Sequence, residues 1–367
     1  MPIATTLILA MMVADPEPRD FAVPSADGTV IHGQVDRADQ PGRGVVVMVA
    51  GTGAFDRDVA FSREAGARPV FLDLSDRLAA RGVSVVRYDK RGVRYGATGA
   101  DRIDRAEIVT ATTDAQRDDL AAVYGWTRSP QGLDAQCVVL FGHSEGMVHI
   151  GRLASSGAPA PAAVVGMGAV LTDPVTNFRW NLTERDAWSL RLMDADGDGI
   201  VTNDEVRAGL ADTPAAVNGA LDPYLHPSGA WTADAIGALE QTWADAYPAI
   251  RDAILSAEDA APWPSADAPA GNMQWAKSWY LDATPVAARL ASWNVPVIVH
   301  LGSRDSQTHA PLQRAAGETY LGGRLTFRLH ADVGHTLGPS PTYGPVRDDL
   351  AEALVDDIVG ALATCAT

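Results

Sequence analysis

The chain has 367 residues, 47% of them hydrophobic, and a formal net charge of −17 at pH 7. That is enough apolar material for one large domain carrying an insertion, whereas the acidic excess argues against nucleic-acid binding, which needs clustered Lys and Arg against phosphate, and against anionic membrane surfaces. Only two cysteines occur, Cys137 and Cys365, with no Cys-x-x-Cys spacing, so zinc ribbons are excluded and free thiols are expected rather than a disulfide framework.

Residues 3–14 form an apolar run similar to the h-region of a signal peptide, although Met1-Pro2 supplies no Lys or Arg ahead of it and the cleavage context before Asp15 is imperfect. The run is too short to span a bilayer. A hairpin is expected around Asp27-Gly28. The segment Gly44-Val45-Val46-Val47-Met48-Val49 reads as a buried strand and leads into the flexible turn Ala50-Gly51-Thr52-Gly53. Strands and helices then alternate up to a strand over residues 162–170, the pattern of an α/β fold with a mostly parallel sheet flanked by helices.

Inside that alternation the strand Val138-Val139-Leu140-Phe141 runs straight into Gly142-His143-Ser144-Glu145-Gly146 and then a helix-forming segment. A bare Gly-x-Ser-x-Gly is weak evidence, since a Ser between glycines is often only a turn. Strand before and helix after describe a turn so tight that both glycines must lack side chains, and that turn lifts Ser144 above the sheet as a nucleophile. His143 and His149 read as packing residues rather than chemistry.

Residues 172–285 break the alternation and read as a helical cap inserted between the first part of the core, 20–171, and the second, 286–367. Within the cap, Asp194-Ala195-Asp196-Gly197-Asp198-Gly199-Ile200-Val201-Thr202-Asn203-Asp204-Glu205 fits a twelve-residue EF-hand loop. Calcium prefers oxygen ligands, so Asp194, Asp196 and Asp198 would each give a carboxylate oxygen, Ile200 its backbone carbonyl, Thr202 a direct or water-mediated contact, and Glu205 both oxygens. An incoming helix is expected over 183–193 and an outgoing one over 204–210. EF-hands generally pair, and Gly229-Ala230-Trp231-Thr232 repeats part of the loop. Its ligand positions, Tyr224, His226 and Ser228, suit calcium poorly, so a degenerate, metal-free second hand is expected there. Trp188, Trp231, Trp243, Trp275 and Trp279 read as cap core rather than substrate contacts.

Beyond the cap, Val295-Pro296-Val297-Ile298-Val299-His300-Leu301 reads as a buried parallel strand, and Asp305 lies just past its end. A further strand, Leu325-Thr326-Phe327-Arg328-Leu329, precedes His335. Catalytic groups of open α/β sheets collect at such strand ends. Ser144 is therefore the expected nucleophile, His335 its general base and Asp305 the acid that orients the imidazole. Asp332, on the His335 loop, is the rival acid, and Asp305 could instead cap the helix starting near His309. The oxyanion donors are expected to be the backbone N–H of Glu145 and that of Thr52, with Gly53 as the alternative.

Three segments, Ala50-Gly51-Thr52-Gly53-Ala54-Phe55-Asp56-Arg57-Asp58, Tyr88-Asp89-Lys90-Arg91-Gly92 and Gly142-His143-Ser144-Glu145-Gly146, together resemble bacterial serine hydrolases of the α/β-hydrolase superfamily. The nearest branch is the serine-aminopeptidase-like esterases, whose pattern runs GSGP-x-DRD, YDKRG, GHSEG. Trp279 to Pro285 and Val295 to Gln307 resemble the same branch. The chain departs from it at Thr52, Ala54 and Met147. The resemblance implies an α/β-hydrolase fold and hydrolysis of a small-molecule carboxylic ester through an acyl-enzyme; the EF-hand loop, read separately, implies one structural calcium in the cap. A peptidase, amidase or thioesterase would use the same triad, and a calcium-responsive binding protein on a hydrolase scaffold is the non-enzymatic alternative. Calcium is abundant outside the cytoplasm, so a periplasmic or secreted protein is expected, with a cytoplasmic one as the alternative.

Overall fold

The computed structural model describes residues 17–37, 44–60, 68–211, 221–267, 269–339 and 344–366, so the apolar run 3–14 lies outside the described residues. Twelve strands are formed in it: β1 (Arg19–Pro24), β2 (Val30–Asp36), β3 (Val45–Val49), β4 (Ser84–Tyr88), β5 (Val138–His143), β6 (Ala163–Met167), β7 (Ile200–Thr202), β8 (Ala230–Thr232), β9 (Pro262–Trp263), β10 (Gly271–Asn272), β11 (Val297–Gly302) and β12 (Leu325–His330). Eight of them make the main sheet, in the order β1-β2-β4-β3-β5-β6-β11-β12. The β1–β2 and β2–β4 pairs are antiparallel, and all the others are parallel. The hairpin expected at Asp27-Gly28 is the β1–β2 connection, where Gly28 takes a φ of +87° that side chains disfavour.

Every residue of β3, β5 and β6 is buried. Parallel strands covered on both faces must read as continuous apolar runs, and these do. One face packs beneath Leu120, Val123, Ile150 and Leu290, and the other beneath Phe71, Leu74, Leu354 and Ile358. Since crossover helices fill both faces, the loops at the carboxyl ends of the parallel strands are where side chains remain available for chemistry.

The segment between β6 and β11 is helical, with helices Pro174–Thr183, Arg185–Arg191, Asn203–Gly209, Ala233–Ser256 and Met273–Leu281 and the short pairs β7–β8 and β9–β10. The incoming helix expected over 183–193 is Arg185–Arg191, set off at Glu184 from the preceding helix Pro174–Thr183. A small core of Leu190, Met193, Val201, Val206 and Ile236 holds the β7–β8 unit together. The tryptophans divide differently from the expectation. Trp275 and Trp279 join the core under the main sheet, Trp188 and Trp231 are half-buried, and Trp243 is 39% exposed. Among the described residues no helix is long and apolar enough to cross a membrane.

The cysteine expectation is overturned. Cys137 and Cys365 form a disulfide with a Cα–Cα separation of 5.9 Å across 228 residues of sequence. The cause is the carboxyl-terminal helix Asp348–Ala363, whose apolar stripe docks on the sheet face beside β5 and delivers Cys365 to the residue preceding that strand. A bridge closing so long a loop acts mainly by restricting the unfolded chain.

Candidate active site

The tight turn after β5 has the strain a nucleophile elbow demands. Ser144 sits at φ +53°, a left-handed conformation rare for a residue with a side chain, and its N–H donates to the Met167 carbonyl at 3.0 Å. A Cβ on Gly142 would come within 2.7 Å of Met147 Sδ, and one on Gly146 within 2.2 Å of the Val49 carbonyl oxygen. Backbone therefore requires glycine at 146, whereas at 142 a side chain would push against the movable ends of Met147 and Ile150. The loop after β3 lies against the same turn, since a Cβ on Gly51 would meet Ser144 Cβ at 3.0 Å and His143 Nδ1 at 2.8 Å.

Asp305 follows β11 and His335 follows β12, and the fold brings the two together. His335 Nδ1 lies 3.0 Å from Asp305 Oδ1 and 2.9 Å from Oδ2, with both residues 1% exposed. Asp305 also accepts the N–H groups of Gln307 and Thr308 at 2.8 and 2.9 Å and the Thr308 hydroxyl at 2.6 Å. It does not cap the next helix, Ala310–Leu321, whose N-cap is His309. Asp332 is exposed and its N–H donates to Ser303 Oγ, so it plays no comparable part. The His335 ring lies 4.9 Å, centroid to centroid, from that of His143, the residue before Ser144. A Cβ on Gly168 would fall 2.7 Å from His335 Nδ1, so the imidazole is backed tightly against the chain leaving β6.

Among the described residues, no backbone carbonyl outside the helices and strands accepts the N–H of Thr52 or of Glu145. Their surroundings hold what the sequence reading missed. The Glu145 carboxylate is buried, accepts from Trp275 Nε1 at 2.6 Å, and lies 3.5 Å from Lys90 Nζ and 3.6 Å from His149 Nε2. Burial alone would raise its pKa, but Lys90, His149, the Trp275 indole and the Thr52 side chain together hold it below the ordinary carboxylate value. Lys90 Nζ also donates to the Gly51 carbonyl at 2.6 Å. Desolvation pushes the Lys90 ammonium down and lowers His149 to about 4, while burial, His335 and Lys90 lower His143 well below its ordinary value. Both rings are buried, and these shifts favour their neutral forms.

The Asp-Arg-Asp and Tyr-Asp-Lys-Arg-Gly segments lock to one another. Arg57 pairs with Asp89 at 2.7 Å and with Asp20 at 2.9 Å, Arg87 is buried between Asp36 and Asp58, and Arg91 bridges Asp119 and Asp27. This network fixes the loop that carries Thr52. The helical segment touches the loop that carries Asp305: Asn181 Nδ2 donates to the Gln307 carbonyl at 2.7 Å, and Trp180 stacks on His309 at 5.0 Å.

Away from this site, carboxylate oxygens of Asp194, Asp196 and Asp198 lie within 4.8 Å of one another. Gly199 turns the loop at φ +82°, and Val201, 2% exposed, anchors it in the small core. β7 and β8 pair antiparallel, Val201 opposite Trp231, so the second, ligand-poor loop is joined to the first as expected. Glu205 is not among the three gathered acids. Its carboxylate accepts the N–H groups of Ala195 and Thr202 at 2.9 and 2.8 Å, closing the loop and capping the helix Asn203–Gly209. In the second loop His226 Nδ1 and Ser228 Oγ are spent on each other at 2.7 Å.

No protein-family model matches the chain, and no curated protein matches it. Similar solved structures include the proline iminopeptidase of Mycobacterium smegmatis, with 14% identity over 95% of this chain and 100% of that one, at a TM-score of 0.53. DcsB in complex with its substrate analogue is 13% identical over 95% of this chain and 99% of that one, at a TM-score of 0.52. A lipase in its open form is 14% identical over 95% and 99%, at a TM-score of 0.50. Together with the strand order, these similarities establish that the chain has the α/β-hydrolase fold.

Proposed function

We propose that the chain is a serine hydrolase that cleaves carboxylic esters through an acyl-enzyme on Ser144. The observation that carries this reading is the pair of contacts from both Asp305 oxygens to His335 Nδ1, on an imidazole packed beside a strained serine turn. Asp305 keeps the His335 proton on Nδ1, which leaves Nε2 as the base. Ser144 Oγ adds to the ester carbonyl as Nε2 takes its proton, and the oxyanion is held by the N–H groups of Thr52 and Glu145. The tetrahedral adduct collapses, the C–O bond to the alcohol breaks, and His335 returns the proton to the departing alkoxide. Water then adds to the acyl-enzyme by the same route and releases the acid and free Ser144.

A fluorophosphonate tests the assignment directly, because it phosphonylates only an activated serine. The expected result is one adduct per chain, mapped by mass spectrometry to Ser144 and suppressed by excess ester. An unlabelled protein, or an adduct elsewhere, would overturn the reading.

The insertion is proposed to serve as a cap that holds one calcium ion through Asp194, Asp196, Asp198, the Ile200 carbonyl, Thr202 and Glu205. An all-oxygen set in a glycine-hinged loop fits a hard cation. The ion would tie the two ends of its loop together, and none of the catalytic steps passes through it. Export to the periplasm or medium is proposed as well, supported by the disulfide, which persists in oxidising compartments, and by the calcium loop. Cell fractionation with sequencing of the mature amino terminus decides this: an intact Met1 in the cytoplasmic fraction rules export out.

A further inference from the structure

Lys90 belongs to no triad, yet its ammonium touches the carbonyl of one peptide unit that would bind the oxyanion and the side chain of the residue that carries the other donor. It donates to the Gly51 carbonyl at 2.6 Å and faces Glu145 Oε2 at 3.5 Å, with a side chain only 13% exposed. In a trans peptide the C=O of one residue and the N–H of the next point in opposite directions. A lysine that holds the Gly51 carbonyl therefore turns the Thr52 N–H to the other side of that peptide, and Gly51 is the residue packed against Ser144. The second contact of Lys90 is to the side chain of Glu145, whose own N–H is the other donor. Trp275, from the insertion, completes the arrangement by donating to Glu145 Oε1 at 2.6 Å.

We propose that Lys90 is a positioning residue that sets the direction and spacing of the two oxyanion donors, with Glu145 and Trp275 holding it in register. The proposal rests on the serine-hydrolase reading above. A buried ion pair often adds little net stability, because desolvation offsets the attraction, so a purely structural account of Lys90 predicts no selective loss of turnover. The positioning account predicts one. Removing an oxyanion donor outright costs roughly 10²–10³ in kcat, and a donor present but misdirected should cost less, on the order of 10- to 100-fold.

The test compares wild type, Lys90→Met and Glu145→Gln on a short-chain nitrophenyl ester, together with inhibition by a trifluoromethyl ketone whose hemiketal mimics the tetrahedral adduct. The expected result is a fall of about 10- to 100-fold in kcat for both variants, with KM nearly constant and ketone affinity weakened in proportion. Melting temperature is followed in parallel, and Glu145→Gln, which keeps the side-chain volume, reports on the pair if Lys90→Met does not fold. Since Cys137 and Cys365 are bonded to each other, Lys90→Cys carries a single free thiol. Aminoethylation of that thiol rebuilds a lysine-like side chain and should restore kcat. Folded variants with kcat within twofold of wild type, or losses that appear in KM alone, overturn the proposal. If wild type itself hydrolyses no ester and takes no fluorophosphonate at Ser144, it is the serine-hydrolase reading that has failed.

Discussion

Alanine at Ser144 is expected to lower kcat/KM for a short-chain nitrophenyl ester by roughly four to six orders of magnitude and to leave the melting temperature nearly unchanged. The stability half follows from the backbone. Ser144 already sits at φ +53°, and alanine bears the same strain there as serine, so the exchange removes one oxygen and little else. The activity half follows from the division of labour. His335 with Asp305 has no nucleophile to deprotonate once the hydroxyl is gone, and what survives is ester binding and oxyanion stabilisation. His335→Ala should cost nearly as much, and Ser144→Ala with His335→Ala together should cost little more than either alone, because the two act as a unit. Asp305→Asn should cost about 10⁴, since an amide facing Nδ1 favours the wrong tautomer, leaving Nε2 protonated and unable to accept. Residual activity above about 1% in Ser144→Ala would mean that the ester is cleaved elsewhere in the chain.

The parts of this site that could be read from the sequence are those encoded locally. An elbow is a strand, two glycines and a helix in one stretch of chain, so its pattern is local even though the backbone that crowds Gly146 is that of Val49 on β3. Asp305 and His335 were legible because strand ends concentrate catalytic groups, although only the fold shows that Asp332 turns away on an exposed loop. What was not legible depends on distant partners. Lys90 meets a carbonyl 39 positions earlier, and Trp275 meets a carboxylate 130 positions earlier. Neither contact leaves a periodicity or spacing to detect. The disulfide failed for the same reason, as its partners are brought together only by the docking of the last helix. Trp243 shows the converse limit: composition placed it in a core, and its position on the long helix Ala233–Ser256 leaves it in solvent.

Removing calcium is expected to lower the melting temperature first and to take activity with it. A ligand that binds only the folded chain stabilises it by about 2.7 kcal/mol at a hundred times its Kd and about 4.1 kcal/mol at a thousand times. A chelator in place of millimolar calcium should therefore move the unfolding transition by several degrees, and Asp194→Ala should abolish the dependence on calcium. The route to the active site is short. The loop is entered by the helix Arg185–Arg191, whose Trp188 packs edge-on against Trp180 at 5.7 Å and His309 at 5.6 Å. Trp180 and Asn181 lie on the helix that holds His309 and the Gln307 carbonyl, three residues or fewer from the backbone groups that fix Asp305. Loosening the loop frees that packing and with it the orientation of the acid, so turnover should fall over the same calcium range as the melting temperature. The two are measured side by side on one calcium titration. Loss of turnover at an unchanged melting temperature would make the ion a regulator of the site rather than a brace for the cap. Unchanged melting and unchanged turnover, with no heat of binding by calorimetry, would remove calcium from the protein altogether.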